Sequence, residues 1–169
     1  MPATLQRTFG IHADAHPPQM FREGANQSYQ FGDFVSLVAN LVVAAVASGS
    51  TLDSTGHGLL GQCGRAARNA ANPSVDSNGN PIQDVPVVIP DDRVFYLLPC
   101  WSATLANTQN QNVPIGTTAT LKNVGGIYAL NLDVTANPIL EVVQKLPGIS
   151  PTDTYCWVYC KILAAGRNL

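Results

Sequence analysis

The chain has 169 residues, 46% of them hydrophobic and only 12% charged, with a net charge of −2. That length can bury a real core and the apolar share excludes intrinsic disorder. The nine Lys and Arg are scattered, which excludes the clustered basic surface that nucleic-acid binding requires.

Charged residues are at about half their usual share, so Ser, Thr, Asn and Gln must cover the surface. Such a surface suits lasting contact with other proteins. The first ten residues, MPATLQRTFG, lack the apolar segment of a signal peptide, so synthesis in a cytoplasm is expected. Cys63, Cys100, Cys156 and Cys160 then default to reduced, buried thiols.

Residues 1–27 show no sustained periodicity. Phe9, Ile11, Met20 and Phe21 stand as isolated apolar anchors among prolines and glycines. The expectation is an extended N-terminal arm, with residues 28–169 as a single β-barrel-like domain. Such an arm can lie over its own barrel or over a neighbour.

The densest apolar stretch follows, Ser28–Ala47. Gly32-Asp33 should turn the chain, because Gly takes positive φ without steric cost and Asp can bond its own backbone. The density of Val favours strands over Tyr29–Val38 and Leu41–Val46, broken at Asn40. One helix over Phe34–Ala47 is the rival reading, and periodicity alone does not separate them. The stretch is too short and too interrupted to span a bilayer.

Ser48–Gly58 reads as a loop. Leu59-Leu60 could end a strand, and Arg65–Ala71 could make one or two helical turns before Pro73. Asp76-Ser77-Asn78-Gly79-Asn80 reads as a hairpin tip. Val85–Ile89 is a strand that Pro86 should place at an edge. Arg93–Trp101, Thr117–Lys122, Ile127–Val134, Leu140–Leu146 and Thr154–Leu163 are further strands, with a polar loop at Leu105–Gly116. In the last strand Cys156, Val158, Cys160 and Ile162 share one face, and Tyr155, Trp157, Tyr159 and Lys161 share the other. The first set suits a core and the second suits an interface. Short strands at this spacing imply an all-β small barrel or sandwich with at most one short helix.

Chemical motifs are weak throughout. Gly58, Gly61 and Gly64 are spaced without the strand–turn–helix setting of a phosphate loop. Cys63 lies near His57 in sequence and before the possible helix, a setting that could make a thiol nucleophile of a cysteine hydrolase. His12/His16 and Cys156/Cys160 have zinc-like spacings. The prolines keep the first pair from being helical, and the second lies on a strand. Asp76, Asn78 and Asn80 begin like a calcium loop but meet Pro81 where Gly is needed. Asn26-Gln27-Ser28 is a glycosylation triplet without consequence in a cytoplasm. No catalytic residue, metal or cofactor is assigned.

The order of segments carries a resemblance. Ser28-Tyr29-Gln30-Phe31-Gly32-Asp33-Phe34-Val35 runs into an apolar strand. Gly58-Leu59-Leu60-Gly61-Gln62-Cys63-Gly64-Arg65-Ala66-Ala67 follows, then VPVVIPDDRVFYL, then Gly126-Ile127-Tyr128-Ala129-Leu130, then the terminal WVYCKIL. Over about residues 28–165 this pattern is similar to the capsid decoration, or cement, proteins of tailed bacteriophages. Gln62-Cys63-Gly64 stands where that family commonly has small apolar residues.

The resemblance implies a β-tulip-like domain on the capsid exterior, an arm reaching across major capsid protein subunits, and self-association as a dimer or trimer on the shell. It implies no catalytic residue, no nucleic-acid partner and no membrane. Phe9, Ile11, Met20, Phe21, Tyr155, Trp157 and Tyr159 are the expected interface residues. A tail, fibre or glycan-binding β module, using loops Ser102–Pro114 and Ser74–Pro81, is the alternative expectation.

Overall fold

The computed structural model describes residues 10–12, 17–47, 49–55, 57–91 and 94–167, with only the backbone described for 10–12. Among the described residues there are twelve strands: β1 Gly10–His12, β2 Gln19–Glu23, β3 Phe34–Val38, β4 Leu41–Ala44, β5 Thr51–Leu52 and β6 Gly61–Cys63. The rest are β7 Val85–Val88, β8 Val94–Trp101, β9 Thr118–Val124, β10 Ile127–Asn131, β11 Leu140–Lys145 and β12 Trp157–Ile162. The helical segments among the described residues are short 3₁₀ turns at Leu105–Thr108, Asn110–Asn112 and Ala164–Gly166. The fold is all-β, as expected.

The strands form two closed rings. β2, β4, β3, β6 and β7 pair in that order, and β7 returns to β2, giving a small five-stranded barrel. β8, β10, β9, β11 and β12 pair in that order, and β12 returns to β8. β1 adds to β8 and β5 adds to β9 at the margins of this second ring. Closure leaves few strand edges open to uncontrolled pairing.

Each ring has its own core. Tyr29, Val35, Val42, Leu60, Cys63, Val85 and Val87 fill the small barrel. The larger core gathers Tyr96, Leu98, Leu121, Leu130, Leu140, Val158 and Ile162, among others. Two dipeptides join the cores. Phe34 belongs to the larger core and Val35 to the smaller; Leu59 belongs to the larger and Leu60 to the smaller. Alternation along an extended chain makes this possible, since successive side chains point to opposite faces. The Leu60 amide donates to the Val35 carbonyl at 2.8 Å and ties the two dipeptides together. The Phe34 ring meets Tyr96 at 5.0 Å and Tyr128 edge-on at 5.4 Å, and the Tyr128 hydroxyl donates to the Phe34 carbonyl at 3.2 Å.

The helix reading of Phe34–Ala47 is excluded: β3 and β4 form a hairpin. Val38 faces Leu41 in register, so the loop is Ala39-Asn40, and both residues have positive φ, 49° and 62°. That is the backbone of a two-residue type I′ turn, whose twist matches the strands it joins. The strand expected from Tyr29 begins only at Phe34, because Gln30–Asp33 is a turn. The Asp33 amide donates to the Gln30 carbonyl at 3.0 Å, with Gly32 at φ 83°, so the positive-φ glycine predicted there is present.

Several expectations need correction. Gln19–Glu23, inside the stretch expected to be an arm, is a strand of the small barrel that pairs with both β4 and β7. β1 likewise pairs with β8. The loop at Ser48–Gly58 contains β5.

Pro86 is not on an edge, since β7 has neighbours on both sides. Its carbonyl points toward Gly64, whose amide donates to it at 2.6 Å, so the missing N–H faces the same side, beyond the last residue of β6. The short neighbour is what accommodates the proline.

Arg65–Ala71 is not helical. Glu23, fully buried, accepts from Arg65 Nη2 at 2.6 Å and from the Arg68 amide at 2.7 Å. Arg65 also donates to Asp84 Oδ1 at 3.0 Å, and Arg68 pairs with Asp84. The Ala67 amide donates to the Tyr29 carbonyl and the Asn26 amide to the Ala70 carbonyl. These tertiary bonds draw the segment along the barrel and override alanine's helix preference, which is under 1 kcal/mol per residue (about 0.5).

Candidate interaction surface

Inside–outside alternation on β8 and β12 builds an aromatic outer face on the larger ring. Along β12, Val158, Cys160 and Ile162 are buried while Trp157, Tyr159 and Lys161 are half-buried on the outside. Along β8, Val94, Tyr96 and Leu98 are buried and Phe95 and Leu97 point outward. Register sets Tyr159 opposite Leu97, and Trp157 opposite Pro99. On the other side of β12, Lys161 faces Glu141 and the two form an ion pair at 3.1 Å.

The β11–β12 register slips between Val142 and Gln144, a bulge that leaves Val143 out of the ladder. Bulges re-aim a side chain. Here Val143, Gln144, Pro147, Phe95 and Tyr159 line an open groove of about 380 Å³. Most of its lining is apolar or aromatic, the residue mix of interface centres.

The expected interface residues separate in space. Tyr159 lines the groove, Trp157 stands two residues along the same face, and Tyr155, 63% exposed, precedes them. Met20 is exposed on β2, whereas Phe21 packs against the small-barrel core. Ile11 lies on β1 opposite Phe95. Phe9 lies outside the described residues.

Phe95, Val143 and Pro147 were missed. The alternation of Arg93–Trp101 carried the signal for Phe95. Nothing in the sequence marks the bulge at Val143.

Cys63 is not set up as a nucleophile. Cys63 is buried, and its thiol donates to the Gln30 carbonyl at 2.8 Å. Burial pushes the thiol up to about 11, with the Asp33 charge adding to it. An activated nucleophile requires a shift in the other direction, and His57 is exposed. The expected helix after Cys63 is absent, and so is its dipole.

Asp76 closes its own turn, accepting from the Asn78 and Asn80 amides at 2.8 and 2.9 Å and from Asn80 Nδ2 at 3.0 Å. These bonds hold its carboxyl below the usual range. Of the zinc-like pairs, Cys156 and Cys160 are buried free thiols, His16 lies outside the described residues and the His12 side chain is not described. Among the described residues no three His, Cys, Asp or Glu side chains gather as metal ligands. None of the described helices is long and apolar enough to cross a membrane.

A second cleft of about 300 Å³ lies at the seam of the two rings, between Ser28–Asp33, Val46-Ala47 and the Asn123–Tyr128 hairpin. Its polar groups serve the fold: Asn123 Nδ2 donates to the Val46 carbonyl, and Asn123 Oδ1 accepts from the Gly126 amide.

Three further cations are engaged internally. Lys122 lies 3.7 Å from the centre of the Trp101 ring, Lys145 donates to the Asn110 carbonyl, and Arg167 donates to the Ile162 carbonyl.

Comparison of the chain with protein-family models, curated proteins and solved structures gives no match.

Proposed function

We propose that the chain is a structural virion protein that docks on the outside of a phage capsid through the Phe95–Trp157–Tyr159 face and stabilises the shell by bridging major capsid protein subunits. The observation that carries this reading is the outward aromatic face on a closed, charge-poor barrel. Aromatic anchors supply contact area at low entropic cost, and their pairing with a groove fits a hot-spot centre. A standard interface buries about 1,600 Å², and many copies on one shell add avidity. Self-association as a dimer or trimer belongs to the same reading. The segment-order resemblance to cement proteins supports it independently of the surface.

Residues 2–27 include β2, so deleting them would open the small barrel as well as remove the N-terminal segment. Side-chain substitution on the outer face is therefore the cleaner test. The double variant Trp157→Ser, Tyr159→Ser should fold, as judged by circular dichroism, and should bind shells of the cognate major capsid protein at least about tenfold more weakly. Unchanged decoration of shells by the folded variant would overturn the role given to this face.

A further inference from the structure

The β8–β12 ladder brings two of the four cysteines face to face. Trp157 pairs with Pro99 and Val158 with Leu98, so the next position pairs Cys156 with Cys100. The Cys100 amide donates to the Cys156 carbonyl at 2.8 Å, while the Cys156 amide donates to the Thr108 carbonyl at 3.0 Å, so the pair sits at the last rung of the ladder. Directly opposed residues of an antiparallel ladder hold their Cα atoms about 4.5–5.5 Å apart, inside the span of about 4.4–6.8 Å that a disulfide bridges. Directly opposed residues point to the same face, and both side chains lie in the larger core.

The remaining cysteines offer no competing partner. Cys160 lies four residues along β12, about 13 Å away at the rise of a strand, and faces Tyr96. Cys63 belongs to the other core.

We propose that Cys100 and Cys156 are a latent disulfide, reduced where the chain is made and closed by a peroxide-class oxidant once the protein reaches an oxidising medium. Cys156 is the attacking residue. It stands immediately before β12, buried just under the surface turn that ends at exposed Tyr155, and its Sγ lies 3.5 Å from Asn110 Oδ1. The neighbouring Cys100 thiol, with the Lys145 charge, holds its thiol below the ordinary range.

The Cys156 thiolate attacks one peroxide oxygen, the O–O bond breaks, and hydroxide leaves, giving a sulfenic acid. Cys100 sulfur then attacks the Cys156 sulfur. The S–O bond breaks, the Cys100 proton goes to the departing oxygen, and water leaves. Two thiols and one hydrogen peroxide become one disulfide and two waters. The link ties β8 to β12 where the ladder ends, and it closes a long loop that contains β9, β10 and β11.

The test is to treat the native, full-length protein with hydrogen peroxide and map its peptides under non-reducing conditions. The expected result is loss of two hydrogens, one linked pair containing Cys100 and Cys156, and a Tm higher by about 10 °C that dithiothreitol reverses. Cys160→Ala should leave the link intact and Cys100→Ala should abolish it. Because the map is read on the unaltered chain, a variant that misfolds does not decide the outcome. Sulfinic acid at Cys156 without a link, a Cys156–Cys160 link, or four unmodified thiols under conditions that oxidise an exposed thiol would each overturn the proposal.

Discussion

Cys63 shows how one residue's meaning depends on what surrounds it. In sequence it sits near His57 and before a possible helix, a setting that suggests reactivity. In the fold it is a small buried group on β6 whose thiol is spent on the Gln30 carbonyl. Its value rises from 9.0 to about 11, which ties stability to pH. Below pH 9 the folded and unfolded states both hold the proton, and the buried neutral thiol contributes in full. Between pH 9 and about 11 the unfolded chain ionises first, so stability falls as pH rises. The loss should reach about 2–3 kcal/mol. The difference in unfolding free energy between the parent and Cys63→Ala, followed by urea denaturation across this range, should therefore shrink with rising pH. A difference that stays constant from pH 8 to 11 would contradict the buried, protonated thiol.

Two residues away, Gly61 has the opposite relation to its neighbours. A Cβ there would stand 2.0 Å from the Val88 carbonyl oxygen, so only glycine lets β6 approach β7. The pair explains why β6 was not recognised: a three-residue strand carrying a glycine and a buried glutamine has no alternation to read.

At the scale of elements, turns were legible where their chemistry is local. Gly32-Asp33 and Asp76–Asn80 both turn the chain as their compositions predict. The β3–β4 turn is the informative exception, because Ala39 occupies a left-handed position that costs an alanine about 1 kcal/mol. Replacing Ala39-Asn40 by Asn-Gly should raise stability by about 1 kcal/mol, seen as a Tm increase of about 2–4 °C. No gain would mean that the loop is not a type I′ turn. Arg65–Ala71 failed as a helix for a non-local reason: Glu23, forty-odd residues earlier, holds Arg65 and the Arg68 amide. β2 itself was missed because Gln19–Glu23 alternates poorly and takes its stability from pairing with β4 and β7.

For the whole molecule, the seam between the rings decides cooperativity. Phe34 is a small-barrel strand residue whose ring is buried in the larger core against Tyr96 and Tyr128. Phe34→Ala should cost about 3–5 kcal/mol. Because the residue belongs to one ring by backbone and to the other by side chain, the parent should melt in one transition and the variant in two. Calorimetry distinguishes these directly. A single transition in Phe34→Ala, shifted but not split, would show that Leu59-Leu60 and the Tyr128–Phe34 hydrogen bond suffice to couple the rings.

The amino-acid sequence by itself determined the all-β class, most strands from Val85 onward, the Gly32-Asp33 turn and the two-faced character of the last strand. Each rests on periodicity or turn chemistry within a few residues. Tertiary structure decided the rest: the division into two closed rings, the use of residues 10–12 and 19–23 as strands, the loss of the expected helix, the bulge that opens the groove beside Tyr159, and the pairing of Cys100 with Cys156. Those features depend on which strands meet and in what register. Pairing energy is shared between segments far apart in the chain, so no single segment carries a record of it.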